Sequence, residues 1–172
     1  VLDNSDSPNG LAQPAERFGM VLWAKPPESS LSIGYYDDWL RMLCLHEYAH
    51  VLSLDPMTGW AEVLRWIYGD GLRLNSVWPR WMAEGLAVYV ESRYSRAGRG
   101  RSPYYRALLR AAADQGRLGD HSYFTFDRLH GSWPYYPGGE TDYLFGYSLM
   151  RELLEDRPER MGQLALGSSE RV

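Results

Sequence analysis

Apolar positions along this 172-residue chain fall into several helix-length stretches separated by polar, turn-rich segments. The first 16 residues, VLDNSDSPNGLAQPAE, are dense in turn formers and read as a loosely ordered lead-in. RFGMVLWAKPP follows, a short apolar run closed by a proline pair, and is the best strand candidate. Beyond the loop SSLSIGYY, Asp37 or Asp38 is placed to cap a helix running to about Leu54, with Pro56 and Gly59 marking its end. A second helix is predicted from about Thr58 to Tyr68, stopped by GDG. A third begins in NSVWPRWMAEGLAVYVESRY, with Pro79 in its first turn, where a missing N–H costs little. Further helices are expected near Pro103 to Gln115 and over ETDYLFGYSLMRELLEDRP, with a short one after Pro158. The aromatic stretch from Leu118 to Gly139 reads as loop. No repeat is visible, and the pattern predicts one α+β domain over residues 1–172, mainly α-helical with a small N-terminal sheet element.

Composition narrows the class. Hydrophobic residues make up 45% and charged residues 23%, as expected of a globular domain with a real core. The net charge of −4, with arginine far outnumbering lysine, gives no basic face strong enough for nucleic acid. The local run SRAGRGRSPYYR is basic but broken by glycine and serine, and is expected to be an exposed loop. A single cysteine, Cys44, excludes an internal disulfide framework and a cysteine-based zinc site; a buried structural thiol is expected there. No apolar run approaches the length of a membrane span. The chain begins at Val1 rather than Met, so it reads as a domain excised from a longer protein.

The chemistry concentrates in LCLHEYAHVL. Two of the four histidines, His46 and His50, are four residues apart and share one helix face, where both imidazoles can reach one ion. Glu47 lies about 100° further around the axis, placed to flank that ion and take a proton from water. A core helix with hydrogen-bonded histidines is the alternative; two histidines at this spacing with a glutamate between them favour metal.

A catalytic zinc takes three protein ligands and leaves one position open. Six residues after His50, where a third histidine would complete one such site, stands Pro56. Asp70, in YGDGL, is one candidate third ligand. Glu84 is the stronger one, because it sits within a helix amid Trp81, Ala87 and Val88, with Gly85 allowing close approach of a neighbouring element.

HEYAH followed by WMAEGLAVYVE resembles the gluzincin zinc metallopeptidases, in particular the aminopeptidase N-like and thermolysin-fold branch. Trp81, Glu84, Gly85, Ala87, Tyr89 and Glu91 match that family's second motif, W-x-x-E-G-x-A-x-Y-x-E. The resemblance implies a thermolysin-like catalytic domain holding one Zn²⁺ on His46, His50 and Glu84, with Glu47 as general base and a peptide or protein as substrate. The 33 residues between His50 and Glu84 exceed the family's usual spacing. DYLFGYSLMRELLED is similar to the family's Y-x-x-G helix and assigns the oxyanion-stabilising hydroxyl to Tyr143, with Tyr147 one turn on as the other choice. The aminopeptidase branch carries an upstream G-x-M-E-N segment; none occurs here, so the resemblance does not decide between exo- and endo-action. RFGMVLWAKPP is the expected edge strand for an extended peptide. Divergent relatives often lie outside the cytoplasm beside repeat domains, which makes a periplasmic or secreted location and additional domains the corresponding expectations.

Glu91, two turns after Glu84, is an outer partner of a ligand histidine, a cap for a substrate amine or an ordinary surface acid. His121 and His130 are expected to be surface residues, and Arg128, Trp133 and Tyr136 could shape a groove. The alternative function is a non-catalytic zinc-binding or peptide-binding module on a peptidase fold.

Overall fold

The computed structural model describes residues 9–13, 19–28, 32–56, 59–69, 78–118, 129 and 138–167. The described residues form six α-helices and one two-stranded antiparallel sheet. Strands β1 (Gly10–Gln13) and β2 (Gly19–Leu22) pair with Gly10 opposite Leu22 and Gln13 opposite Gly19. The helices are α1 (Trp39–Leu54), α2 (Trp60–Tyr68), α3 (Arg80–Tyr94), α4 (Pro103–Asp114), α5 (Thr141–Leu154) and α6 (Arg160–Gly167). The mainly helical expectation with a small sheet holds. Gly10–Gln13 departs from it: this part of the expected lead-in is a strand.

Local chemistry sets the helix ends. Asp38 caps α1, its carboxylate accepting from the Arg41 N–H at 3.0 Å, while Asp37 instead accepts from the Arg96 N–H at 3.1 Å and ties down the chain after α3. Ser102 caps α4, with Pro103 in the first turn. Gly69, at φ 82°, ends α2 in a conformation that side chains resist. The Trp39 indole donates to the Trp23 carbonyl at 2.9 Å, which fastens the end of the hairpin to the start of α1.

The centre of the fold is the crossing of α3 and α5. A Cβ on Gly85 would collide with the Gly146 backbone, and one on Gly146 with the Trp81 carbonyl, so the two helix backbones touch at a glycine pair. Around it pack Leu86, Val88, Tyr89, Met150 and Leu154 on one side and Tyr105, Leu144 and Phe145 on the other. Helix α1 packs against α3, and the hairpin packs on α1 through Leu22 beside Trp39, Met42 and Leu43. Helix α3 thus packs against both α1 and α5, and all three bring polar side chains towards the His46 side of α3.

Candidate metal centre

Helix α1 buries Met42, Leu43, His46, Glu47 and Ala49 along one face, so the two histidines and the glutamate point inward as part of the same stripe that packs the helix. The Nε2 atoms of His46 and His50 lie 3.3 and 3.4 Å from Glu84 Oε2, across the α1–α3 contact. These three side chains can hold a metal ion.

Their geometry differs from that of a hydrogen-bonded cluster. Glu84 Oε2 is buried and makes no aligned hydrogen bond, despite its two close imidazole nitrogens. Ligand atoms aimed at one shared point produce this arrangement. Four ligands held tetrahedrally at roughly 2.0–2.1 Å stand about 3.3–3.4 Å apart; both imidazole nitrogens stand at that distance from Glu84 Oε2, and all three ligand atoms lie within 4.8 Å of one another. Burial opposes ionisation of Glu84, yet the two imidazoles outweigh it and hold the carboxyl well below its ordinary range. For His46, burial and the nearby Arg99 disfavour the cation, but Glu84 and Glu91 overcome them and raise its pKa.

Glu47 is buried beside the triad, against β1: a Cβ on Gly10 would stand 2.5 Å from Glu47 Oε1. A cavity of about 400 Å³ opens over these groups, lined by His46, Glu47, His50, Glu84, Tyr143 and the β1 residues Asn9 to Leu11. The strand lining the cavity is therefore β1, out of the expected lead-in, rather than the run containing β2.

Tyr143 reaches the site and Tyr147 does not. The Tyr143 ring stacks on His46 with centroids 6.1 Å apart, whereas Tyr147 packs in the core and against Gly100 on the other side of α3. Burial, with Glu84 nearby, pushes the Tyr143 phenol above its ordinary pKa, so it keeps its proton and remains a donor. Beside it, Asp142 is almost inaccessible. Its Oδ2 is 2.9 Å from Arg80 Nε, but neither carboxylate oxygen has an aligned hydrogen bond. Burial raises Asp142 to about 6 against the pull of Arg80.

Glu91 is not a surface acid: it is fully buried, with Oε2 3.0 Å from His46 Nδ1. Burial would raise its pKa, but Arg99 and His46 hold it down to about 2. Arg99 is the residue that the sequence pattern concealed. The basic run is not simply an exposed loop: Arg99 is 7% accessible, and its guanidinium and backbone N–H both meet Glu91. The available signal was its setting between Gly98 and Gly100, since glycines on both sides let a chain pass close to packed elements. Cys44 is a free thiol of intermediate exposure rather than a buried one. Asp70, His121, Arg128, His130, Trp133 and Tyr136 lie outside the described residues.

No helix among the described residues is long and apolar enough to cross a membrane. No family model, curated protein or solved structure matches this chain.

Proposed function

We propose that the protein is a zinc metallopeptidase of the thermolysin-like gluzincin type, hydrolysing peptide bonds in the cavity between α1, α3 and β1. The observation that carries this reading is the convergence of His46 Nε2 and His50 Nε2 on Glu84 Oε2 at 3.3 and 3.4 Å, with Glu47 on the same cavity wall. Zinc held there by His46, His50 and Glu84 would supply Lewis acidity towards a carbonyl oxygen and would make water more acidic.

The chain's own groups do the rest. Glu47 is the carboxylate beside the triad and outside it; it accepts the proton of the attacking water and returns it to the leaving amine nitrogen. The Tyr143 hydroxyl donates a hydrogen bond to the oxyanion of the tetrahedral carbon. The edge of β1 that faces away from β2 offers its backbone groups to an extended peptide. Among the described residues three ligands open on a cavity, which favours catalysis over a structural role, because closed structural sites take four.

Glu47→Gln tests the reading. Peptide-library turnover is expected to fall at least about 100-fold while bound zinc is unchanged, since general-base contributions run to roughly 100–10,000-fold. Wild-type turnover by the variant would overturn the general-base role.

A further inference from the structure

Arg99 lies against His46 and grips Glu91, outside the three candidate ligands, and that placement gives it a definite task. The turn Arg99–Arg101 is pinned on several sides: Gly98 N–H donates to the Tyr35 carbonyl at 3.0 Å and Gly100 N–H to Ser92 Oγ at 3.0 Å. Gly98 adopts φ 99°, open to glycine, and Gly100 lies against the Tyr147 ring. So held, Arg99 meets Glu91 at three points. Its backbone N–H and Nε reach Oε1 at 2.8 and 3.0 Å, and an Nη reaches Oε2 at 2.7 Å. Both carboxylate oxygens are thereby fixed in the plane of the guanidinium fork.

Glu91 Oε2 is also the oxygen 3.0 Å from His46 Nδ1. A carboxylate paired with arginine only accepts, so the proton between these atoms belongs to Nδ1. That leaves the lone pair on Nε2, the atom facing Glu84 and His50. The Arg99 Nη also lies 2.6 Å from His46 Nδ1. With the proton on Nδ1 both nitrogens are donors converging on one oxygen; the same Nη stands 3.4 Å from His46 Nε2. Were Nδ1 instead to accept from Arg99, the ring proton would sit on Nε2 and the triad would lose a lone pair. The same guanidinium lies over the Tyr143 ring, with Cζ 4.7 Å from its centroid. His50 has no equivalent support, since its Nδ1 is buried without a hydrogen-bond partner among the described residues.

We propose that Arg99 is a positioning residue: by gripping Glu91 it sets the tautomer and orientation of His46, and by covering Tyr143 it holds that ring against His46. The geometry stands by itself; its consequence for metal affinity rests on the metal-site reading above.

The test uses two readouts other than turnover. Zinc affinity is measured by competition with a chromophoric chelator, and the His46 tautomer by ring-nitrogen NMR of the metal-free protein at a pH where the imidazole is neutral. Wild type is expected to show the Nδ1–H form. Arg99→Met should give mixed tautomers and a loss of affinity of roughly 10- to 100-fold, the range for outer partners of metal ligands. Glu91→Gln should also weaken zinc binding, and the double variant should lose no more than the worse single, because both act through one contact. Arg99→Lys, which keeps the charge but not the fork, carries the same test if Arg99→Met does not fold; mixed tautomers and a several-fold loss are expected. Wild-type tautomer and affinity in a folded Arg99 variant, or losses that multiply in the double variant, would overturn the proposal. A wild type that binds no zinc, yet whose Nδ1–H form is scrambled by Arg99→Met, would sink the metal reading and leave the positioning role standing.

Discussion

Helices α2 and α3 are successive in the chain and are treated in opposite ways by the fold. Helix α2 separates its apolar and polar sides more sharply than any other described helix, yet Trp60, Trp66 and Tyr68 are 72, 87 and 72% exposed. Helix α3 shows little segregation, yet it buries Gly85 through Tyr89 and seals Glu91 completely. Amphipathic pattern therefore reports that a segment is helical and says little about whether the fold uses it. The α3 positions that break the pattern are the informative ones: a glycine where backbones touch, and carboxylates that neighbouring cations and imidazoles hold ionised. Burial of charge is costly unless each group is matched, so these residues mark the candidate site within the fold.

The sharpest way to break this contrast is at the helix crossing. Gly146→Ala in an exposed helix would stabilise by about 1 kcal/mol. Here the new Cβ meets the Trp81 carbonyl and Gly85 Cα, so a loss of about 3 kcal/mol is expected instead, read as a lower denaturant midpoint with an unchanged slope. A neutral or stabilising result would mean that α3 and α5 do not touch as described.

Asp142 gives the next effect, and its sign is fixed. Its folded pKa of about 6 lies above the unfolded value of 3.8, so the native state holds that proton more tightly. Its favourable contribution is present below the unfolded value and is lost as pH rises to about 6. Asp142→Asn removes the dependence. Relative to wild type the variant should gain about 2 kcal/mol on going from about pH 4 to about pH 8, measured by denaturant unfolding at each pH. A difference independent of pH would show that Arg80 fully compensates the buried carboxylate.

The smallest effect belongs to α2. Trp66→Ser should leave stability within about 0.5 kcal/mol of wild type, whereas a loss of several kcal/mol would show that this face is packed.

Much of the framework is legible in the sequence. The helices after Asp38, before Gly69, after Pro79 and after Ser102 follow from caps and breakers, which act locally. His46, Glu47, His50 and Glu84 stand together because one helix period and one glycine-flanked acid carry them. What lies beyond the sequence depends on contacts between distant segments. Glu91 could not be told from a surface acid until Arg99 was seen to reach it, and Tyr143 could not be separated from Tyr147 until α5 was docked on Gly85. Strand β1 was hidden because GLAQ has no strand alternation of its own and gains its identity only by pairing with GMVL.

Metal content tests the central claim most directly. Wild type and Glu84→Gln, purified without added metal and then equilibrated with zinc, are compared by elemental analysis with folding checked by circular dichroism. The account predicts close to one zinc per wild-type chain and a marked loss in the variant, through the lost charge and lone pair. Zinc retained at full stoichiometry by Glu84→Gln, or absent from folded wild type after supplementation, would contradict it.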